Sequence, residues 1–436
     1  MRINRRMALA GAAALTLAGV GAARAQAQLR IRKGVGELSA TSDDVVAFGE
    51  AVRLMKRRRD GLSWARQTQI HHRDAQHNNG LFLPWHRQQL LHLERIVAKL
   101  TGHEAFAMPY WDWQEHRFLP EWISDPASPL YEPERAEGVA TLDFAAARWA
   151  ESPYTARLAE DDFETFCGKL PDGAGMVEGY GHNHIHQLIG GAMKAARTSA
   201  RDPMFWLHHS NVDRVWATWH ANRGRDLYPA EWTELEVGGF VDVEGRRAPA
   251  VRVADSLETE ALGYGYDRLY PFPKFNVPEA GPPGATRRIP LGAQGWIVRA
   301  EAEGGRLRLA LPGEALARMR EADDSLMIEG VGTAAFALEE ALEDRSIEIR
   351  MTGGGRERSL GSSPTFVHIP EGGGHHHGAY QLPFRFGEEV LNLLAADDGP
   401  AEVVAFAEDL APELARPGAR PLWIELKLTL TETRWA

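Results

Sequence analysis

Among the seventeen histidines of this 436-residue chain, six fall where only a particular fold can use them. They form two triplets, His71, His77 and His86, then His182, His186 and His209. His182 and His186 are four residues apart, so a helix puts both imidazoles on one face, whereas His184 points to the opposite side. Downstream, Phe205, His209, Val212, Trp216 and Trp219 make one stripe at helical spacing. Of the adjacent pair, His209 therefore faces the core and His208 is left as a supporting group behind it. His86 begins a similar stripe through Leu90, Leu93, Val97 and Leu100. Imidazoles on apolar faces need partners, and helices that turn several of them inward describe a metal-binding bundle.

The surrounding pattern supplies the helices. A stripe of Val45, Phe48, Val52 and Met55 predicts one over residues 42–57, and a second begins at Trp85. The third carries His182 and stops at Gly190-Gly191; the fourth opens on Asp202-Pro203, a capping acid followed by a proline at the first helical position. From about residue 290 the period changes to two. Leu307, Leu309 and Leu311 alternate with other residues, as do Ile347, Ile349 and Met351, and the run from Leu422 to Leu430. The expected fold is a mainly α domain, a four-helix bundle, over residues 26–285, and a C-terminal β-rich, sandwich-like domain over residues 286–436. The Pro- and Gly-rich stretch from Pro271 to Gly292 links them.

Residues 1–25 read as an export signal of the twin-arginine kind: Arg5-Arg6, an apolar run from Met7 to Ala23, and small-residue exits near Ala25. The run is short and rich in Ala and Gly, which disfavours a membrane anchor, and the rest of the chain is expected not to span a membrane. The net charge of −11 becomes four units more negative once Arg2, Arg5, Arg6 and Arg24 are removed. Such a balance argues against nucleic acid and anionic membrane as partners. Cys167 is the only cysteine, so no internal disulfide forms, and its setting gives no sign of a reactive thiol.

Two neutral three-imidazole sites suit a borderline or soft metal such as copper better than calcium or magnesium. A di-iron carboxylate site would need Glu-x-x-His pairs, which these helices lack. A single hydrolytic zinc would use only one triplet.

These residues reach a known family. His77-Asn78-Asn79-Gly80-Leu81-Phe82-Leu83-Pro84-Trp85-His86-Arg87, then Glu94-Arg95 and Pro109-Tyr110-Trp111-Asp112-Trp113, resemble the first copper motif of tyrosinases and polyphenol oxidases. Glu178, His182-Asn183, Ile185-His186, Gly190-Gly191, Asp202-Pro203 and Phe205 to Asp213-Arg214 resemble the second. Thr259 to Asp267 is similar to a segment that follows the catalytic domain in that family, and a weaker likeness runs through Phe366-Val367 and the Gly372–Gly378 loop. The likeness is greatest to exported bacterial tyrosinases with a C-terminal domain. Ser63-Trp64, Gln67 and Ile70 resemble the lead-in to the first ligand, favouring His71 over His72. Many members carry a cysteine between the first two ligands; here Asp74-Ala75-Gln76 stands there, so the thioether that stiffens the second ligand cannot form at His77.

The resemblance implies two copper ions per chain, held by the six histidines, and phenolic small molecules and dioxygen as the partners. The implied activity is ortho-hydroxylation of monophenols and oxidation of o-diphenols to o-quinones. Catechol oxidase or o-aminophenol oxidase activity without hydroxylation is the alternative, and a non-catalytic dioxygen carrier of the haemocyanin type the third. Glu178 and Asn183 match the pair that holds a water taking the phenol's proton. Ala196 falls where relatives carry a residue overhanging the pocket, so a small side chain there would leave the entrance open. The C-terminal domain of relatives can cover the site until removed; Tyr380, Phe384 and Phe386 are candidates either for a blocking aromatic or for β-domain core, and His375-His376-His377 reads as a solvated loop. Whether a helper protein loads the copper, and the oligomeric state, stay open at the level of sequence.

Overall fold

A computed structural model describes residues 29–145, 158, 162–171, 173–223, 228–270 and, in the C-terminal part, 288–301, 306–320, 326–338, 345–353, 355–364, 380–386, 393–394, 400–409 and 421–435. The export segment, the Phe366-Val367 likeness, the Gly372–Gly378 loop with its three histidines, and Pro271 to Arg287 of the expected linker lie outside the described residues.

Helix α1 (Asp43–Arg57) buries Val45, Phe48, Val52 and Met55, the stripe read from its sequence. A helix that the pattern did not announce follows, α2 (Trp64–Asp74), started by Ser63, whose hydroxyl accepts from the Arg66 amide at 3.2 Å. Helix α3 (Phe82–Thr101) begins three residues before Trp85; Pro84 sits in its first turn, where the lost amide would have had no intrahelical partner. Gly102, at φ 73°, closes it in the left-handed region. A π-helical turn, Glu178–His182, leads into the short α4 (Asn183–Ile189), and α5 (Pro203–Arg223) follows. Asp202 caps α5 as expected, accepting from the Met204 amide at 2.8 Å, while Arg135 grips its carboxylate.

Helix α3 packs between α1 and α5, and the core around it is dominated by tryptophans: Trp64, Trp85, Trp206, Trp216, Trp219 and Trp232 are all buried. A buried ionic knot fastens α3 to α5. Asp213 on α5 receives Arg87 Nε at 2.5 Å and Arg32 Nη1 at 2.9 Å, while Arg32 Nε reaches Glu94 at 2.7 Å. Tyr264 and Tyr266 each donate to Asp213 at 2.6 Å. The two strands that bring these groups, β1 (Arg30–Arg32) and β2 (Tyr264–Tyr266), pair in parallel. Burial alone would raise the Asp213 pKa, but the guanidiniums of Arg87 and Arg32 hold it below the usual carboxylate value.

The C-terminal part is β-rich. Strands β3 (Arg288–Glu301), β4 (Arg306–Ala310), β5 (Leu326–Leu338), β6 (Arg345–Gly353), β7 (Arg356–Pro364), β8 (Tyr380–Phe386), β9 (Ala401–Asp409) and β10 (Pro421–Trp435) form two four-stranded sheets, ordered β8-β5-β10-β3 and β4-β9-β6-β7. Every pairing in them is antiparallel. The alternating runs read from sequence fall on β4, β6 and β10, and Ile349 and Met351 are fully buried. The linker read as reaching Gly292 is shorter at its far end, because residues from Arg288 already pair with β10. Strand β7 lies against α4 and the π-helical turn before it. Among the described residues, no helix is long and apolar enough to cross a membrane.

Candidate metal centre

The six imidazoles come from α2, the loop after it, α3, the π-helical turn, α4 and α5, and the structure gathers them into one buried cluster. His71, His182 and His186 have no exposed surface, and His86 and His209 are almost as enclosed. His86 stacks on His209 with ring centroids 4.4 Å apart, which brings the two triplets into contact. His77, on the loop, lies 5.0 Å from His71 and 5.1 Å from His86 by centroid. His72 is only half-buried and lies outside the cluster.

Each ring whose Nδ1 partner is visible has that atom pinned, so that Nε2 faces the cluster. His71 Nδ1 donates to the Ala196 carbonyl at 2.7 Å, His86 Nδ1 to Phe82 at 2.8 Å, and His186 Nδ1 to Met193 at 2.8 Å. His182 Nδ1 meets Asn183 Oδ1 at 2.8 Å. Such bonds fix the tautomer and leave Nε2 as a lone-pair donor. The Nε2 atoms of His71 and His86 stand 3.4 Å apart; His209 Nε2 is 3.1 Å from that of His182 and 3.4 Å from that of His186. Lone pairs this close repel unless a cation lies between them. Nitrogens sharing one tetrahedral metal at about 2.0–2.1 Å would be about 3.3 Å apart, so the donor set fits a pair of metal ions.

His208 is the second claimant in the later triplet. A nitrogen of His208 lies within 4.8 Å of nitrogens from His182 and His186, and its ring stacks on His182 at 5.3 Å. The converging Nε2 atom, however, belongs to His209. Burial depresses the basicity of these rings, His86 to about 3 and His186 to about 4, with His182, His208 and His209 also well below the ordinary value. All are therefore neutral near pH 7, the state a metal requires.

Glu178 lies at the start of the π-helical turn, which closes through the Asn183 amide bonding the Glu178 carbonyl. Its side chain is 2 % exposed, and Oε1 accepts from the backbone N–H of Asn78 at 2.7 Å. Asn78 is the one non-glycine residue of positive φ in the described backbone, at 55°, and that left-handed turn aims its amide at Glu178. Burial pushes the Glu178 carboxyl up to about 8, against the Asn78 bond, which lowers it. Asn183 is next to the site, but its side-chain oxygen is directed at His182.

Ala196 differs from its expected place at an open entrance. Its side chain is buried, and its carbonyl orients His71. The functional atoms that sequence reasoning missed are backbone ones: the carbonyls of Ala196, Phe82 and Met193 and the amide of Asn78. The Gly190-Gly191 stop was the only sequence signal near Met193. Cys167 is buried and its thiol pKa is raised well above the ordinary value by burial, as befits an inert structural residue.

The description "common central domain of tyrosinase" matches residues 61–140 and 133–222. Over 225 residues the chain is 32% identical to a chloroplastic polyphenol oxidase of Malus domestica, covering 44% of this chain and 38% of that protein. It is 31% identical over 229 residues to tyrosinase HcTyr1 of Hahella sp., covering 45% and 48%. The matched segments thus span about two fifths to half of these curated relatives. By structure, the chain is similar to a latent apple tyrosinase with a TM-score of 0.61 at 22% identity, over 94% of this chain and 98% of that one, a likeness of fold.

Proposed function

We propose that this chain, whose residues 61–222 match the common central domain of tyrosinase, is a dicopper phenol oxidase of the tyrosinase and polyphenol oxidase kind, holding two copper ions. In this reading it ortho-hydroxylates monophenols and oxidises o-diphenols to o-quinones with dioxygen. The observation that carries it is the convergence of Nε2 atoms from two histidine triplets in one enclosed cluster, with the Nδ1 atoms of His71, His86, His182 and His186 held by hydrogen bonds.

His71, His77 and His86 would hold one copper, and His182, His186 and His209 the other. When bound, the copper pair supplies the activation of dioxygen. The chain's own part is orientation, exclusion of water and proton handling. Helices α2, α3, α4 and α5, which carry His71, His86, His186 and His209, are the scaffold in this reading; they are not the four read from the sequence, which counted α1 and missed α2. The knot at Asp213 keeps α3 and α5, and thus His86 and His209, at fixed separation. Glu178, held by the Asn78 amide, receives the phenol's proton through a water. Asn183 supports that water's site and sets the His182 tautomer. Bound copper ions would electrostatically favour the ionised form of Glu178, against the burial that raises its pKa.

Export by a twin-arginine-type signal, and a C-terminal sandwich-like β domain acting as a lid, complete the proposal. The contact of β7 with α4 supports the lid, because α4 carries His186. Oxygen uptake by copper-loaded protein, with tyrosine and separately with its ortho-hydroxylated counterpart, tests the reading. Uptake on both is expected. Uptake on the diphenol alone makes the protein a catechol oxidase, and uptake on neither with two coppers bound leaves a covered site or an oxygen carrier.

A further inference from the structure

Beyond the end of α5, Tyr228 has surroundings that none of this chemistry uses. Its hydroxyl accepts from Trp216 Nε1 at 2.9 Å and meets His220 Nδ1 at 3.1 Å. His220 Nε2 is in turn 3.2 Å from Glu258 Oε1. These contacts place the protons. A carboxylate only accepts, so Nε2 carries the imidazole proton, Nδ1 presents a lone pair, and the phenol O–H donates to it. Tyr228 and His220 are buried, at 7 % and 9 % exposure, whereas the Glu258 side chain is 46 % exposed. The phenol is shielded from water but has a proton path to it.

Its ring also belongs to an array of indoles. Tyr228 stacks on Trp232, with centroids 5.2 Å apart and planes 11° apart, and lies 5.7 Å from Trp219. Trp232 is 6.4 Å from Trp216. Two members of the array lead to the histidine cluster. Trp232 Nε1 donates to the Gly80 carbonyl at 2.8 Å, three residues beyond His77. Trp216 is seven residues after His209 on α5, about 10 Å along the helix axis.

We propose that Tyr228 is a redox-active residue coupled to the histidine cluster. A hydroxyl radical, formed there by one-electron reduction of hydrogen peroxide in the absence of phenol, takes an electron from Trp216 or Trp232 and leaves as hydroxide, and Tyr228 refills that indole. The phenolic O–H bond breaks as the electron leaves, and the proton passes to His220 Nδ1. Tyr228 becomes a neutral phenoxyl radical, the oxidant is reduced by one electron, and the new imidazolium is stabilised by the Glu258 carboxylate. Oxidising equivalents thereby leave the ligating imidazoles. Only the source of the oxidant rests on the phenol-oxidase reading.

Two oxidants applied to the full chain test this. Copper-free protein is oxidised by photogenerated tris(bipyridine)ruthenium(III), and copper-loaded protein receives hydrogen peroxide without phenol. The radical is followed by electron paramagnetic resonance and the oxidised residue located by peptide mass spectrometry. Both should give a phenoxyl signal that is lost in Tyr228→Phe. Radical formation should be slower in D2O, and His220→Gln should abolish that isotope effect; this variant also carries the test should Tyr228→Phe fail to fold. An unchanged signal in Tyr228→Phe, or an isotope effect indifferent to His220, overturns the assignment. A signal with ruthenium but none with copper and peroxide overturns the coupling to the cluster. A Tyr228 signal under both oxidants, with no oxygen uptake on any phenol, upholds the assignment while removing the phenol-oxidase reading.

Discussion

Two kinds of buried group in the centre titrate with opposite consequences. His86 and His186 fold with pKa values near 3 and 4, lowered chiefly by burial, whereas an unfolded histidine titrates near 6.5. The unfolded chain therefore binds more protons below about pH 6.5, and copper-free stability should fall as pH drops from there toward 4, by about 1.4 kcal/mol per pH unit for each such ring. Glu178 runs the other way. Its folded value near 8 exceeds the ordinary glutamate value of about 4.5, so its contribution is present at low pH and lost as pH rises from about 4.5 to 8. Thermal melts of copper-free Glu178→Gln should show a gain over the parent that grows across that interval. With copper present, the same substitution should depress monophenol hydroxylation more than catechol oxidation, and equal loss of both would remove Glu178 from the proton path. The adjacent histidines separate just as sharply: His209→Ala should reduce bound copper from two ions to one, while His208→Ala should keep both, a count made by metal analysis of the dialysed protein.

Among the elements, α3 and α5 are placed by charge as well as by packing. Asp213 takes two guanidiniums and two phenols with 2 % side-chain exposure, so Asp213→Ala leaves Arg32 and Arg87 without that buried counter-charge. A loss of about 3–5 kcal/mol is expected in chemical denaturation, together with weakened copper retention because His86 adjoins Arg87. Helix α2 shows why one element escaped sequence reasoning. Its sequence from Trp64 to Asp74 is polar, and the face it buries is Trp64, Gln67, Ile70 and His71, only half of it apolar. Its first turn is stabilised by Ser63, and its burial comes from partners distant in sequence, such as the Arg201 carbonyl that accepts from Trp64 Nε1 at 2.8 Å. The stop after α4 was legible because geometry demanded glycine: at Gly191, φ 55°, a Cβ would stand 2.0 Å from the Glu134 carbonyl oxygen.

For the whole molecule, the site and the β-rich part meet where β7 lies against α4. If that contact covers the centre, limited proteolysis between residues 271 and 287 should raise oxygen uptake on bulky diphenols several-fold; unchanged uptake after complete cleavage would rule the lid out. Tyr380, Phe384 and Phe386 lie on β8, which pairs with β5; only their backbone is among what the structure describes, so the blocking-aromatic reading stays an expectation from sequence.

The sequence by itself determined which side chains could meet. Apolar stripes at helical spacing assigned His86, His182, His186 and His209 to inward faces, and alternation assigned β4, β6 and β10, because periodicity is a property of local backbone geometry. His71 and His77 were reached only through likeness to a family, since α2 has no clear stripe and His77 stands on a loop. Tertiary structure alone decided how the rings are held. The carbonyl that orients His71 belongs to Ala196, and the amide that meets Glu178 belongs to Asn78, a hundred residues away. Every residue but proline carries these same two backbone groups, so no letter of the sequence marks which of them will be brought to the site; only the packing of α2 to α5 does.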